Sequence, residues 1–587
     1  MKQLKNRYIP RLFRAAALIA VMTAPTLALA QAQPEIHTGF QKKEAVRAKS
    51  FMISAANPHA SRAGYAILER GGSAADAAIA VALMLTLVEP QASGIGGGGY
   101  MLHWSQTKKA LDAYDAAVVA PKAVKPDHFL DSDGDPVKRS KAGFGGRTVG
   151  VPGQLRLFAE IHAKHGKLPW QDLFQPTIAL AEKGFSVSPR LHKQTHGKRK
   201  KFTDPTATAY FLDADGEAWP AGHRLVNKPL ADTLRQVAER GVDAFYTGAI
   251  AQDIAAAVTN ASEYPSPMTA EEIAAYRIKP HAPICTTYRQ HRVCGVGPST
   301  TGGLTVAMTL RLLEPFDLAG LGPNSPDAIH LFLEASKLAY ADRSQYIGDP
   351  DFVPVPIAGL LDHAYLAERA KKIDPASSMG RPSAGLPPMR KAWNHAPDDT
   401  PESPSTTHLT AVDKDGNAVS FTTTIGRGFG AGIMTRGFLL NDQLLAFSFR
   451  PTKDGDPVAN APAGGKRPRS SMSPTIIFRP DGRLRLVVGS PGGTRIIGYV
   501  TKTIVAVLDW NLDIQSAISL PHFAARTRRA ELEKDTLATR FAEGLEDKDH
   551  SVKVRHLTSG LHGIEIMPDG TLVGGADPRR EGIALGG

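Results

Sequence analysis

Amide chemistry without a cofactor needs a nucleophile and a base, and one junction of this 587-residue chain offers both in a single residue. Ser405-Thr406-Thr407 follows a polar, Pro-rich run ending at Pro404 and opens a period-2 pattern. The Thr406 hydroxyl can attack the carbonyl before it, shift the Ser405 acyl group from nitrogen to oxygen, and let water complete the cut. A freed Thr406 then carries a hydroxyl nucleophile and an amine base together, which replaces a separate histidine. The junction reads as part of an exposed linker. Ser-Thr-Thr is common in loops, so the neighbouring stretches have to decide.

Two of them support the reading. Gly489-Ser490-Pro491-Gly492-Gly493 lies between a strand-like and a helix-like segment, where consecutive glycines can turn backbone N–H groups toward an oxyanion. Arg469-Ser470-Ser471-Met472-Ser473-Pro474 supplies hydroxyl donors before another strand. Each is also compatible with ordinary turn chemistry. His-Glu-x-x-His, G-x-S-x-G, Walker and Cys-x-x-Cys patterns are absent, and no metal or cofactor is expected. His162 and His165, or His192 and His196, have helical spacing but no matching carboxylate motif, and read as surface histidines.

The elements that must position Thr406 are legible from periodicity. Thr407 to Val412 and Ala418 to Thr424 form two strands around the turn Asp413-Lys414-Asp415-Gly416-Asn417. Ser73 caps a helix with Asp76 at its third position, running to Val88. Further helices are predicted over Ser61 to Arg70, Pro326 to Ala341 and Ile496 to Leu508, and strands over Ser50 to Ala55, Tyr100 to Trp104, Thr475 to Phe478 and Arg485 to Val488. Gly94, Gly96 and Gly99 satisfy G-x-G-x-x-G. A helix precedes them and a strand follows, the reverse of a dinucleotide site, so close backbone packing is the better reading.

Composition and ends bound the class. A basic segment (Lys2 to Arg14), a short apolar run and Ala28-Leu29-Ala30 read as a secretory signal over residues 1–30; an uncleaved anchor is the alternative. The net charge of +12 includes that segment, and the run Lys198-Arg199-Lys200-Lys201 has no aromatic interleaving, so a solvated face is preferred over a nucleic-acid patch. Cys285 and Cys294 fall opposite each other if Arg289-Gln290 turns a hairpin, with Cα atoms about 4.5 Å apart, within disulfide range; two free buried thiols are the alternative.

Taken together, the motifs resemble the γ-glutamyltranspeptidase (glutathione hydrolase) family. The resemblance lies in Thr406-Thr407-His408 with Asp413-Lys414-Asp415-Gly416-Asn417, Lys466 to Thr475, Gly489 to Arg495, Gly71 to Ala78, Val88-Glu89-Pro90, Ser93 to Gly99, Val149 to Gly153, Gly348 to Phe352 and Asp577 to Arg580. It implies an α+β, four-layer αββα Ntn-hydrolase sandwich, built from a large subunit (31–405) and a small catalytic subunit (406–587) held as a heterodimer. It implies Thr406 as nucleophile, Thr424 as its supporting hydroxyl, Gly492 and Gly493 as oxyanion donors, and Ser470 and Ser471 on the substrate α-carboxylate. The partners expected are a small-molecule amide and a water or amine acceptor, in the periplasm or secreted, without a stable membrane anchor or nucleic acid.

Three positions depart from the family pattern. Ala117 stands where a carboxylate-binding arginine is expected, Gly426 where an asparagine meets the substrate ammonium, and Ala446 where an aspartate does; Gln443 is retained. A zwitterionic head group without these partners loses several kcal/mol of binding, about the cost of unpaired buried charge. The main expectation is cleavage of a γ-glutamyl-like amide through an acyl-enzyme. The alternatives are an acylase on a less charged, glutaryl-type amide, and a catalytically silent scaffold homologue.

Overall fold

The computed structural model describes residues 36–388, 395–398, 400–402 and 405–587. The secretory-signal segment lies outside them. Two seven-stranded antiparallel sheets stack face to face. In spatial order the first contains Ile583–Gly586, Met52–Ala55, Thr407–Val412, Ala418–Thr424, Gly98–Ser105, Ala110–Ala116 and Lys279–His281. The second contains Val46–Ala48, Leu572–Ala576, His562–Ile566, Leu484–Gly489, Thr475–Phe478, His291–Gly295 and Ile284–Tyr288. Each sheet therefore draws strands from both sides of Thr406.

Strand alternation sets the layers. On the first sheet Met101, Leu409, Ala411, Val419 and Phe421 turn to one hydrophobic cluster with the helices Pro58–Glu69 and Ala74–Val88. Tyr100, Leu102 and Trp104 turn the other way, toward the second sheet. Beyond that sheet lie Gly302–Leu313, Pro326–Tyr346 and Ile496–Leu508. The order helix, sheet, sheet, helix is the αββα sandwich expected. The predicted hairpin has the predicted limits, with Leu409 opposite Phe421 and Val412 opposite Ala418. Its polar face does not reach solvent: His408, Thr410, Ser420 and Thr422 are wholly buried between the sheets.

The Ala74–Val88 helix is buried along its whole length and begins with a reciprocal Ser73–Asp76 capping box. The first predicted helix starts at Pro58 rather than Ser61, capped by Asn57, and the Pro326 helix runs five residues further, to Tyr346. The glycine run is a close-packing device: a Cβ on Gly96 would lie 2.1 Å from the Leu439 carbonyl oxygen, and one on Gly97 2.1 Å from that of Thr424. Cys285 pairs with Cys294 in the hairpin register as a disulfide, with Cα atoms 4.1 Å apart.

Candidate active site

Thr406 immediately precedes the Thr407–Val412 strand and is 3% exposed, as is Ser405. The junction, expected in an exposed linker, is therefore buried, as are Asp398, Thr400 and Glu402 ahead of it. Two carboxylates there find buried cations: Asp398 accepts from Arg469 Nη2 at 3.0 Å and Glu402 pairs with Arg343. Burial raises the Asp398 carboxyl, but Arg469 and the hydrogen bonds from Thr400 and Asn460 outweigh it and hold it below the ordinary value. Ser405 Oγ donates to the Gln91 carbonyl at 2.7 Å. The Thr406 carbonyl accepts from Arg580 Nη1 at 3.0 Å.

Two hydroxyls converge on the Ser405 carbonyl oxygen. Thr424 Oγ1 donates to it at 2.7 Å, and Thr406 Oγ1 lies 2.5 Å from it. The two hydroxyl oxygens are 3.3 Å apart, and Gly426 N–H donates to Thr424 Oγ1 at 2.9 Å. A hydroxyl has one proton and two acceptor sites. Thr424 thus donates to the carbonyl while its lone pairs face the Gly426 N–H and the Thr406 hydroxyl. Thr424 can therefore accept a hydrogen bond from an attacking Thr406 hydroxyl while its own proton stabilises charge on the Ser405 oxygen.

Gly492 and Gly493 hold φ of +140° and +60° in the turn after Leu484–Gly489, a left-handed pair that side chains resist. Among the described residues neither N–H finds an acceptor. Neither reaches the Ser405 oxygen, which accepts from the Thr424 hydroxyl. Tyr340 ties the turn down by donating to the Thr494 carbonyl.

A cavity of about 50 Å³ joins these groups; Thr406, Thr424, Gly493, Ser470, Ser471 and Gln443 all line it, with Glu402. Gly492 does not line it. Ser471 Oγ accepts from Arg343 Nη2 at 2.9 Å, and Ser470 Oγ accepts from Met472 N–H at 3.2 Å. The buried Gln443 Oε1 has no partner among the described residues.

The three departures line the same cavity. Ala117 is buried there, its N–H on Asp115 Oδ1 at 2.8 Å. At Gly426 the space for a side chain is taken by Asp442, which accepts from Arg427 N–H at 2.7 Å and Arg427 Nε at 2.8 Å. Burial raises the Asp442 carboxyl, and Arg427 only partly offsets it. Ala446 leaves its carbonyl to Asn460 Nδ2 at 2.8 Å. Sequence reasoning missed Arg343, Glu402, Arg427 and Asp442. A carboxylate ahead of the junction was visible, but its partner 59 residues away was not.

Of the helical histidines read as surface groups, His165 is instead half-buried, stacked on the buried His103 at 3.7 Å between ring centroids and 3.4 Å from Asp112. No helix among the described residues is long and apolar enough to cross a membrane.

Against known proteins, the family model described as "Gamma-glutamyltranspeptidase" matches residues 60–587. A glutathione hydrolase proenzyme of Escherichia coli is 36% identical, covering 97% of this chain and 98% of its own. An Acylase ACY 1 proenzyme of Pseudomonas sp. strain V22 is 33% identical, covering 93% of this chain and 95% of its own. Among solved structures, cephalosporin acylase from Bacillus halodurans superposes with a TM-score of 0.82 at 27% identity, covering 94% of this chain and 99% of that one.

Proposed function

The chain belongs to the gamma-glutamyltranspeptidase family, and on that premise we propose that it is a self-processing N-terminal threonine enzyme whose nucleophile is Thr406. The observation that carries this is the convergence of the Thr406 and Thr424 hydroxyls on the Ser405 carbonyl.

In the processing step Thr406 Oγ bonds to the Ser405 carbonyl carbon, and the oxygen charge that develops is met by Thr424. The carbon–nitrogen bond then breaks, and the hydroxyl proton ends on the freed Thr406 amine. Water hydrolyses the resulting ester, giving a Ser405 carboxylate and restoring the Thr406 hydroxyl. In turnover the Thr406 amine takes the hydroxyl proton as Oγ attacks an amide carbonyl. The oxyanion is stabilised by the N–H groups of Gly492 and Gly493, acting as preorganised donors. The leaving amine departs protonated, and water or an amine releases the acyl group.

The pieces 31–405 and 406–587 then stay together as a heterodimer, because both contribute strands to both sheets. The basic and apolar N-terminal segment and the Cys285–Cys294 disulfide support export to the periplasm or beyond. Edman sequencing of the small chain tests the proposal: it must begin at Thr406, and Thr406→Ala must remain one chain. Full-length wild-type protein would favour a scaffold instead.

For the substrate, the family reading is a γ-glutamyl-like amide. The pairing of Asp442 with Arg427 favours a second reading, an acylase on a glutaryl-type amide, because no carboxylate in the cavity is left for a substrate ammonium except Glu402 ahead of the cut. Comparison of kcat/KM on γ-glutamyl and glutaryl anilides separates the two.

A further inference from the structure

Arg343 is 2% exposed and lies behind the cavity wall. Its Nε donates to Thr301 Oγ1 at 2.8 Å, and its Nη2 is shared between Ser471 Oγ, at 2.9 Å, and the Glu402 carboxylate. Glu402 is 7% exposed and lines the cavity that also contains Thr406 and Ala117. A guanidinium this buried needs an anion, since removal of one partner of a buried pair leaves a charge without compensation. Yet Glu402 stands four residues before Thr406, on the segment that processing turns into a free chain end.

We propose that Glu402 is a place-holder for substrate, and that Arg343 with the Ser471 hydroxyl anchors the distal carboxylate of the acyl donor once processing lets Glu402 withdraw. The substrate class is the monoamide of a short dicarboxylic acid, with no ammonium on the carbon chain. The charge inventory leads to this class. Ala117, just past the Ala110–Ala116 strand, contributes no cation, so Arg343 supplies one from the Pro326–Tyr346 helix. On the ammonium side Asp442 is engaged by Arg427, and Gln443 Oε1 is a neutral acceptor. Arg469 also lines the cavity, but Asp398 engages it, so the binding charge left once Glu402 withdraws is that of Arg343, behind the wall.

This rests on the reading that processed Thr406 is the nucleophile, and the test separates the two. Processed wild-type protein is assayed on glutaryl, pentanoyl and γ-glutamyl anilides, the first two having equal carbon counts and differing in the terminal carboxylate. Glutaryl anilide should exceed pentanoyl anilide in kcat/KM by about 10⁴-fold, as a site built for a polar group rejects its apolar analogue, and should also exceed γ-glutamyl anilide. Arg343→Gln should bring the glutaryl-to-pentanoyl ratio near one, chiefly through KM, and Arg343→Lys should restore part of it. A wild-type ratio near one overturns the anchor without any variant, as does an unchanged ratio in Arg343→Gln. A γ-glutamyl preference overturns the substrate class. Wild-type protein that stays uncut and cleaves no anilide rejects the Thr406 reading itself.

Discussion

Asp442 stands where a side chain on residue 426 would have to be: a Cβ added to Gly426 would lie 1.9 Å from Asp442 Oδ1. The backbone there has φ +99°, which adds strain to any replacement. Gly426→Ala should therefore destabilise the protein by about 1–3 kcal/mol, from overpacking and backbone strain together. Thermal melts of Gly426→Ala, Asp442→Ala and the double variant form a cycle. Contact between the two positions predicts that Gly426→Ala costs less once Asp442 is gone. Equal costs in both backgrounds would leave backbone strain as the whole effect.

Thr424 donates to the Ser405 carbonyl, so its removal should slow the proposed self-cleavage more than it disturbs folding. Thr424→Ala is expected to lengthen the processing half-time by about 10²-fold, the usual scale for one lost oxyanion donor. Thr424→Ser keeps the donor and should process within about tenfold of wild type, since only packing changes. Time courses of band conversion on a gel measure both.

Gly493 separates the two reactions. Its N–H does not reach the Ser405 oxygen, so processing should proceed in Gly493→Ala. Alanine at φ +60° costs about 1–2 kcal/mol and shifts the N–H. Amide turnover by the processed variant should then fall by about 10²-fold or more. Loss of processing to the same extent as turnover would show that both reactions use one set of donors.

Lys502 gives a pH signature. It is buried in the helix Ile496–Leu508, donating to the Leu520 carbonyl at 2.9 Å, and burial, then Arg579, lowers its pKa from 10.5 to about 7. Between those values the unfolded chain binds a proton that the folded protein does not, so this group makes stability rise with pH. Below about pH 7 both states are charged and the full penalty is present. The difference Tm(Lys502→Met) minus Tm(wild type) should therefore shrink as pH rises from 7 to 10. A difference independent of pH contradicts a depressed Lys502.

Much of the scaffold was legible because its signals are local. The limits of the Thr407–Val412 and Ala418–Thr424 strands, the Ser73–Asp76 cap and the register of Cys285 with Cys294 all follow from spacing within a few residues. The readings of Thr406, Gly492 and Gly493 came from residue chemistry and motif resemblance rather than periodicity. What escaped was partner choice at long range. A polar run reads as solvated until Arg469 and Arg343 are brought beside Asp398 and Glu402, and Gly426 reads as a simple loss until Asp442 is seen in its space. The buried polar face of the Thr407 hairpin escaped for the same reason: alternation names two faces but not what covers the second.

The Arg580 contact with the Thr406 carbonyl ties the junction to a distant part of the chain. Arg580 lies just before Ile583–Gly586, the edge strand that pairs with Met52–Ala55, itself the neighbour of Thr407–Val412. The carbonyl beside the proposed cut is thus held by a residue 174 positions downstream, and a polypeptide truncated before Arg580 would lack that grip on the junction.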